Sequence, residues 1–459
     1  MGFLRTLSAA SAAGVVALAC SAGDQQGPAN GGNSDQPGDW SAPYASGTGG
    51  PESAPRDDGG QSSNASLGDG GSGDADGGTK IDGGSSAGAE TIPLAQILAD
   101  GTCSAKPGDA SLSAGFANAS EIAYIVPLGL MTAAHITPVD HMYIYYPSHQ
   151  ARTATDYPVV SPGDGYIRSV SKLDSDYRVI IEHSCDVWSI FIHVQTLTGP
   201  LASLNGQVTF QNAWGGSIAI KAGDTFATDG GQPGYDYSVH DQRVTLKGLR
   251  PASYSQAETW KLHTVDPFDY IPEPKKSLLL SKDLRSASPR GGRIDYDNIG
   301  VASGNWFVVG TNGYAGDPKN NTTGPISPTQ MRGYWDTHLA LAPNPIDPTH
   351  FMASIGNYDG NAVQYAIDVD PLTLTVASGA TALKLYAFEY QKPDGTPFSQ
   401  DANDNAAYVA GVTLKLSSQV AGVILVQAQA DGTLKVEKRP GATASTSTAF
   451  GTEALVYEH

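Results

Sequence analysis

The chain has 459 residues, which is long for one ordinary domain, and a formal net charge of −19. That balance excludes a nucleic-acid binder of the basic-stripe kind, because no run of Lys and Arg is available to release counterions from phosphate. Much of the charge is local: residues 21–90 carry 11 acidic against 2 basic residues, so the remainder is only moderately acidic.

The N-terminus reads as an export signal. Arg5 supplies positive charge, and Leu7 to Leu18 form an alanine-rich apolar run too short to span a bilayer as a mature helix. Small residues then precede Cys20, in VALAC, and this junction resembles the lipobox of bacterial lipoproteins. The leucine lies two residues before the cysteine rather than the more usual three. The resemblance makes residues 1–20 a lipoprotein signal segment and implies cleavage just before Cys20, with that cysteine lipidated as the mature N-terminus, which would anchor the chain to a membrane of the cell envelope.

Residues 21–90 are dominated by Gly, Ser, Asp, Asn, Ala and Pro, as in DDGGQSSNASLGDGGSGDADGG. Such a segment has too little apolar surface to offset chain entropy and is expected to be a disordered tether. Thr91 to Asp100 (TIPLAQILAD) is the one short stretch with helix-like apolar spacing before the core. Beyond Cys20 only Cys103 and Cys185 remain, and an exported domain sits in an oxidising compartment, so a disulfide between them is expected.

From Ile122 onward, apolar–polar alternation broken by Gly, Pro, Asn and Asp predicts an all-β chain. The stretch from Pro127 to Asp241 holds six of the ten histidines. It opens PLGLMTAAHITPVDHMYIYY, which carries His135, Asp140 and His141 within seven positions. It continues YPVVSPGDGYIRSV, then YRVIIEHSCDVWSIFIHV with His183 and His193 at the ends of two apolar runs. It closes IAIKAGDTFATDGGQPGYDYSVHD, with Asp236 and His240. A hydrolytic metal centre needs about three protein ligands, an open position for water and a nearby base. Imidazoles and carboxylates at strand ends could supply these. His149 and His240 read as bystanders.

In this order the segments resemble the lysostaphin-type zinc endopeptidases, which cut peptidoglycan cross-bridges on a duplicated hybrid motif β fold. HITPVDH stands where that family has H-x-x-x-D, and YPVVSPGDGYI, VIIEHSCDVWSIFIHV, IKAGDTFA and GYDYSV follow as its later segments do. The likeness covers Tyr124 to Asp241. It implies zinc or another divalent metal on His135, Asp140 and Asp236, with His141 or His183 as alternative ligands and His193 as the catalytic imidazole. Departures fall on the chemistry. Four residues rather than three separate His135 from Asp140, and Gly234-Tyr235-Asp236 replaces the closing H-x-H. The site could therefore be a peptidase acting on wall peptide. It could equally be a silent scaffold that binds wall peptide or an envelope protein.

The β domain is expected over residues 91–262, with a boundary in HTVDPFDYIPEPKKS between His263 and Ser277. Residues 278–459 carry eight or nine strand-like runs, which suit a C-terminal β-barrel or sandwich. Gly304-Asn305-Trp306 weakly resembles the Gly-x-Trp signature of lipocalin-like barrels, although a Trp closing the end of any small barrel explains it as well. A ligand-binding role for this barrel is the third reading.

Overall fold

The computed structural model describes residues 103–147, 157–173, 176–209, 213–230, 234–317, 334–398, 410–443 and 449–459. The export signal, Cys20, the 21–90 tether, the 91–100 helix-like stretch and His149 lie outside these residues. No helix among the described residues is long and apolar enough to cross a membrane.

The chain is mostly antiparallel β. In the first unit the strands are β1 (Tyr124–Val126), β2 (Met142–Tyr145), β3 (Pro158–Val160), β4 (Gly165–Lys172), β5 (Tyr177–Glu182) and β6 (Val187–Val194), then β7 (Thr196–Leu197), β8 (Trp214–Ile220), β9 (Thr225–Thr228), β10 (Gly234–Asp241) and β11 (Thr264–Val265). The main sheet runs β1-β2-β10-β6-β5-β4-β8, with β11 on β10, and β3-β9-β7 form a smaller sheet.

Strand β10 is the centre. Asp236 lies opposite Tyr143 of β2 and Ile192 of β6. Because side chains alternate between faces, Tyr235, Tyr237 and Val239 enter the main apolar core with Met142, Ile144 and Phe191. Asp236, Ser238 and His240 face the other way, alongside Trp188, Ile190 and Ile192. Gly234 is required by close backbone approach: a Cβ there would lie 1.9 Å from the Ile144 carbonyl oxygen. Gly165 likewise sits against the Glu182 carbonyl, 2.3 Å from where its Cβ would be.

Cys103 and Cys185 form a disulfide, with Cα atoms 5.5 Å apart. It ties the start of the described chain to the turn between β5 and β6. Next to it, the fully buried Arg168 and Glu182 form an ion pair, and Arg168 Nε donates to the Gly216 carbonyl at 2.7 Å. Glu182 also accepts from the Ser104 amide at 2.8 Å. Both charges are thus partnered, which burial requires.

The stretch expected to be a boundary is not a spacer. Leu262, Phe268 and Ile271 are buried in the main core, as is Leu279 of the short helix α1 (Lys275–Leu280). The following segment runs along β1: the Ile125 amide donates to the Lys282 carbonyl and the Leu284 amide to Ile125. The change of architecture falls later, at β12 (Gly304–Val308). It is followed by β13 (His338–Pro343), β14 (Phe351–Tyr358), β15 (Asn361–Ile367), β16 (Thr381–Gln391), β17 (Thr413–Ala428), β18 (Leu434–Pro440) and β19 (Leu455–Glu458). These pair in sequence, and β19 also pairs with β12, so the ring closes.

One set of alternate positions fills the ring: Trp306, Leu339, Leu341, Ile355, Leu383, Ile424 and Val436 belong to one buried cluster. The Trp306 indole donates to the Ala302 carbonyl at 2.9 Å and stacks on His459. The opposite set, including Ala340, Met352 and Tyr390, packs on Tyr124, Tyr143 and Tyr145 of the first unit. The two units therefore share apolar core.

Candidate functional site

The site forms where β2, β10 and β6 lie side by side. His141 immediately precedes β2, Asp236 is on β10 and His193 is near the end of β6. Register brings them together, since Asp236 faces Tyr143, two residues after His141, and Ile192, next to His193. His141 Nε2 lies 3.3 Å from Asp236 Oδ2, and His193 Nε2 lies 3.7 Å from the same oxygen. On its other side His193 Nδ1 is 2.9 Å from Asp176 Oδ2. His193 adopts φ 67°, a left-handed conformation that costs a non-glycine residue energy. The hydrogen bond between Nδ1 and Asp176 fixes the orientation of the ring.

Asp140 is held differently. Its Oδ1 receives the Lys261 ammonium at 2.7 Å, its Oδ2 receives the Trp260 indole N–H at 3.1 Å, and His141 Nδ1 lies 3.4 Å from Oδ1. Lys261 also meets Glu258 Oε2 at 2.7 Å and sits 4.9 Å from the centre of the Tyr314 ring. Lys261, Asp140 and Glu258 are all buried. Trp260 and Lys261 come from a 3-10 turn, Thr259–His263, which follows Glu258 at φ 49°.

The electrostatics follow from this packing. Burial alone would raise the pKa of Asp140, but the Lys261 ammonium and His141 hold it well below the usual carboxylate range. Burial likewise opposes charge on His141, yet Asp236 and Asp140 raise its pKa. Burial raises Glu258, with Lys261 pulling against it. Lys261 keeps its proton: burial works against the charge, but Asp140 and Glu258 outweigh it. Loss of solvent, together with the charges on His141 and Lys261, pushes the partly buried His135 down to about 3.

The sequence-predicted residues divide accordingly. Asp236 and His193 meet, with His141 rather than His135 between Asp236 and Asp140. The His135 ring stands edge-on to His141, 5.8 Å between centroids. His183 is on the opposite sheet face, with Nδ1 on the Asp164 carbonyl and Nε2 on Ser189 Oγ. His240 is bonded to Ser238 Oγ and the Trp260 carbonyl and stacks on Trp188, a structural role. Lys261, Glu258, Trp260 and Asp176 were not foreseen. The only local signal was the i, i+3 spacing of Glu258 and Lys261.

Zinc fits this arrangement poorly. Both oxygens of Asp140 already accept from Lys261 and Trp260. Among the described residues, the one group of three His, Cys, Asp or Glu donors within 4.8 Å of one another is Cys103, Glu182 and Cys185. Its sulfurs are spent in the disulfide. The cavity beside Tyr143, Tyr145, His193, Gly234 and Asp236 measures about 10 Å³, room for roughly one water. A wider groove of about 780 Å³ lies elsewhere, with Asp109, Arg243, Asp269, Tyr270, Arg293 and Asp295 among its lining.

No protein-family model, curated protein or solved structure matches the chain.

Proposed function

We propose that the chain is an exported, lipid-anchored scaffold of the lysostaphin type that binds cell-wall peptide without cutting it. The observation that carries this is the engagement of Asp140 by the buried Lys261 ammonium, 2.7 Å away, with the Trp260 indole on the other oxygen, so that both oxygens of the expected metal ligand are already committed. The order of HITPVDH, FIHV and GYDYSV along the sequence, and their meeting on β2, β6 and β10, support the resemblance. The 780 Å³ groove, with both aspartates and arginines on its walls, offers a surface for a peptide bearing amino and carboxyl groups. The packed interior of the β12–β19 ring speaks against a small-ligand carrier.

Hydrolysis remains the second reading because of one array: Asp176, His193, Asp236 and His141 in hydrogen-bonding or near-bonding succession. Such an array could move a proton. Co-sedimentation with purified peptidoglycan tests the first reading. The protein should pellet with the wall, and Arg293→Glu in the groove should weaken pelleting. A protein that stays in the supernatant at every concentration rules the binding reading out.

A further inference from the structure

We propose that the side chains of Lys261 and Asp140 condense into an amide bond, with Glu258 as the proton carrier, so that a second covalent cross-link closes the first unit. This goes beyond the wall-binding reading and does not depend on it.

The reacting atoms are already together. Lys261 Nζ lies 2.7 Å from Asp140 Oδ1 and 2.7 Å from Glu258 Oε2. Asp140 Cγ is one C–O bond beyond Oδ1, so it stands at most about 4 Å from Nζ, close to the roughly 3–3.5 Å of a near-attack geometry. The Trp260 indole N–H donates to the other oxygen, Oδ2, at 3.1 Å. Negative charge collects on that oxygen when an amine adds to Cγ, so the indole is a fixed donor for it. Glu258 sits in the left-handed region at φ 49°, a strained conformation of the kind kept at functional positions. Lys261, Asp140 and Glu258 are only 4%, 5% and 7% exposed, which keeps bulk water from the centre.

A free amine and carboxylate in water stay ionised and apart, and hydrolysis wins. Fixed placement changes that balance, since well-oriented groups react at effective concentrations of about 10⁵–10⁸ M. The ion pair is the resting form, held by charge alone until the bond is made. One proton moves from Nζ to Oδ1 along their hydrogen bond, leaving an amine and a carboxylic acid. Nζ then adds to Cγ, Glu258 takes a second proton from Nζ and returns it to Oδ1, and the Cγ–Oδ1 bond breaks. One Nζ–Cγ bond has formed, one water has left, and Glu258 ends as it began. Oδ2 becomes the amide oxygen and keeps its Trp260 donor. The step needs no co-reactant.

The bond would join the residue two before β2 to the 3-10 turn that leads into β11, 121 residues further on. The loop from 140 to 261 overlaps the one closed by Cys103 and Cys185, so the two links interleave around β2, β6 and β10. This chemistry also accounts for a buried charge pair where apolar packing would serve stability as well.

The test is peptide mapping of the full protein, reduced and digested with trypsin, beside Lys261→Arg and Glu258→Gln made the same way. The wild type should yield a branched peptide containing both Asp140 and Lys261, lighter than the separate peptides by one water, with no cleavage after Lys261. Its intact denatured mass should fall one water below that of Lys261→Arg once the substitution is allowed for. Glu258→Gln, folded by circular dichroism, should form the bond at least about 100-fold more slowly and be isolated mostly unjoined. Separate Asp140 and Lys261 peptides from folded wild type, cleaved after Lys261, overturn the proposal whether or not the variants fold. So does a lost water that maps elsewhere in the chain. A Glu258→Gln protein joined as fast as wild type overturns the role given to Glu258.

Discussion

Inside the β12–β19 ring, inward positions carry Trp306, Leu339, Ile355, Leu383 and Val436. On the β2–β10–β6 face of the first unit, Asp140, His141, Asp236 and Lys261 occupy ground just as well buried. Both regions exclude water, but by different means. The ring does so with area alone, at roughly 25 cal/mol for each Å² of apolar surface removed from water. The polar face survives only because each charge has its partner within hydrogen-bonding reach. A buried ion pair adds little net stability over apolar packing, so keeping one suggests that the face serves something other than stability.

The contrast can be broken first in the ring. Trp306 is 1% exposed, and Trp306→Ala should cost about 3–5 kcal/mol, read as a lower denaturant midpoint. A loss below about 1 kcal/mol would mean that the ring is loosely packed. The polar face should respond in a different pattern. Lys261→Ala strands two carboxylates and should cost about 3–4 kcal/mol, whereas Lys261→Met combined with Asp140→Leu and Glu258→Gln should cost far less than the single change. Equal losses would show that packing, not charge pairing, governs this face.

The disulfide sharpens the comparison within the first unit. Cys103 and Cys185 are 82 residues apart, and replacing both with Ala should cost about 2–4 kcal/mol through the freed unfolded chain. Thermal unfolding should show this loss as a lower midpoint for the double variant than for the wild type.

A smaller, pH-dependent effect is expected where the units meet. Burial pushes Asp297 up to about 7, with donors from Asn305 and the nearby Arg250 opposing it. Below about pH 4 the group is protonated in both states and costs nothing. As pH rises toward 7 the unfolded chain ionises first, so this contribution to stability is lost through that window. Asp297→Asn should therefore stabilise by about 1–3 kcal/mol at pH 8 and have almost no effect at pH 4. An effect independent of pH would refute the assignment.

Much of the β architecture was legible because alternation is local. TLKLSSQVAGVILVQA announces β17, and Tyr235, Tyr237 and Val239 announce the core face of β10. Proline-rich sequence between His263 and Ser277 reads as a loop, and local sequence cannot show that Phe268, Ile271 and Leu279 dock into the core. The site was half legible. Asp236 and His193 could be found from segment order, but register chose His141 over His135. Lys261 lies 121 residues beyond Asp140, and no spacing rule links the two. Gly234 looked like a lost histidine, yet the 1.9 Å approach of Ile144 shows that this backbone admits no side chain there.

The central claim is that this chain binds wall peptide, in the groove walled by Arg243 and Arg293, and does not hydrolyse it. Its most direct test is release of free amino groups from purified peptidoglycan incubated with the wild-type protein, with and without added Zn²⁺ and with and without a chelator. The expected result is binding to the wall with no release above the no-protein control in any condition. Release that rises with Zn²⁺, stops with the chelator and is lost in His193→Ala would contradict the account.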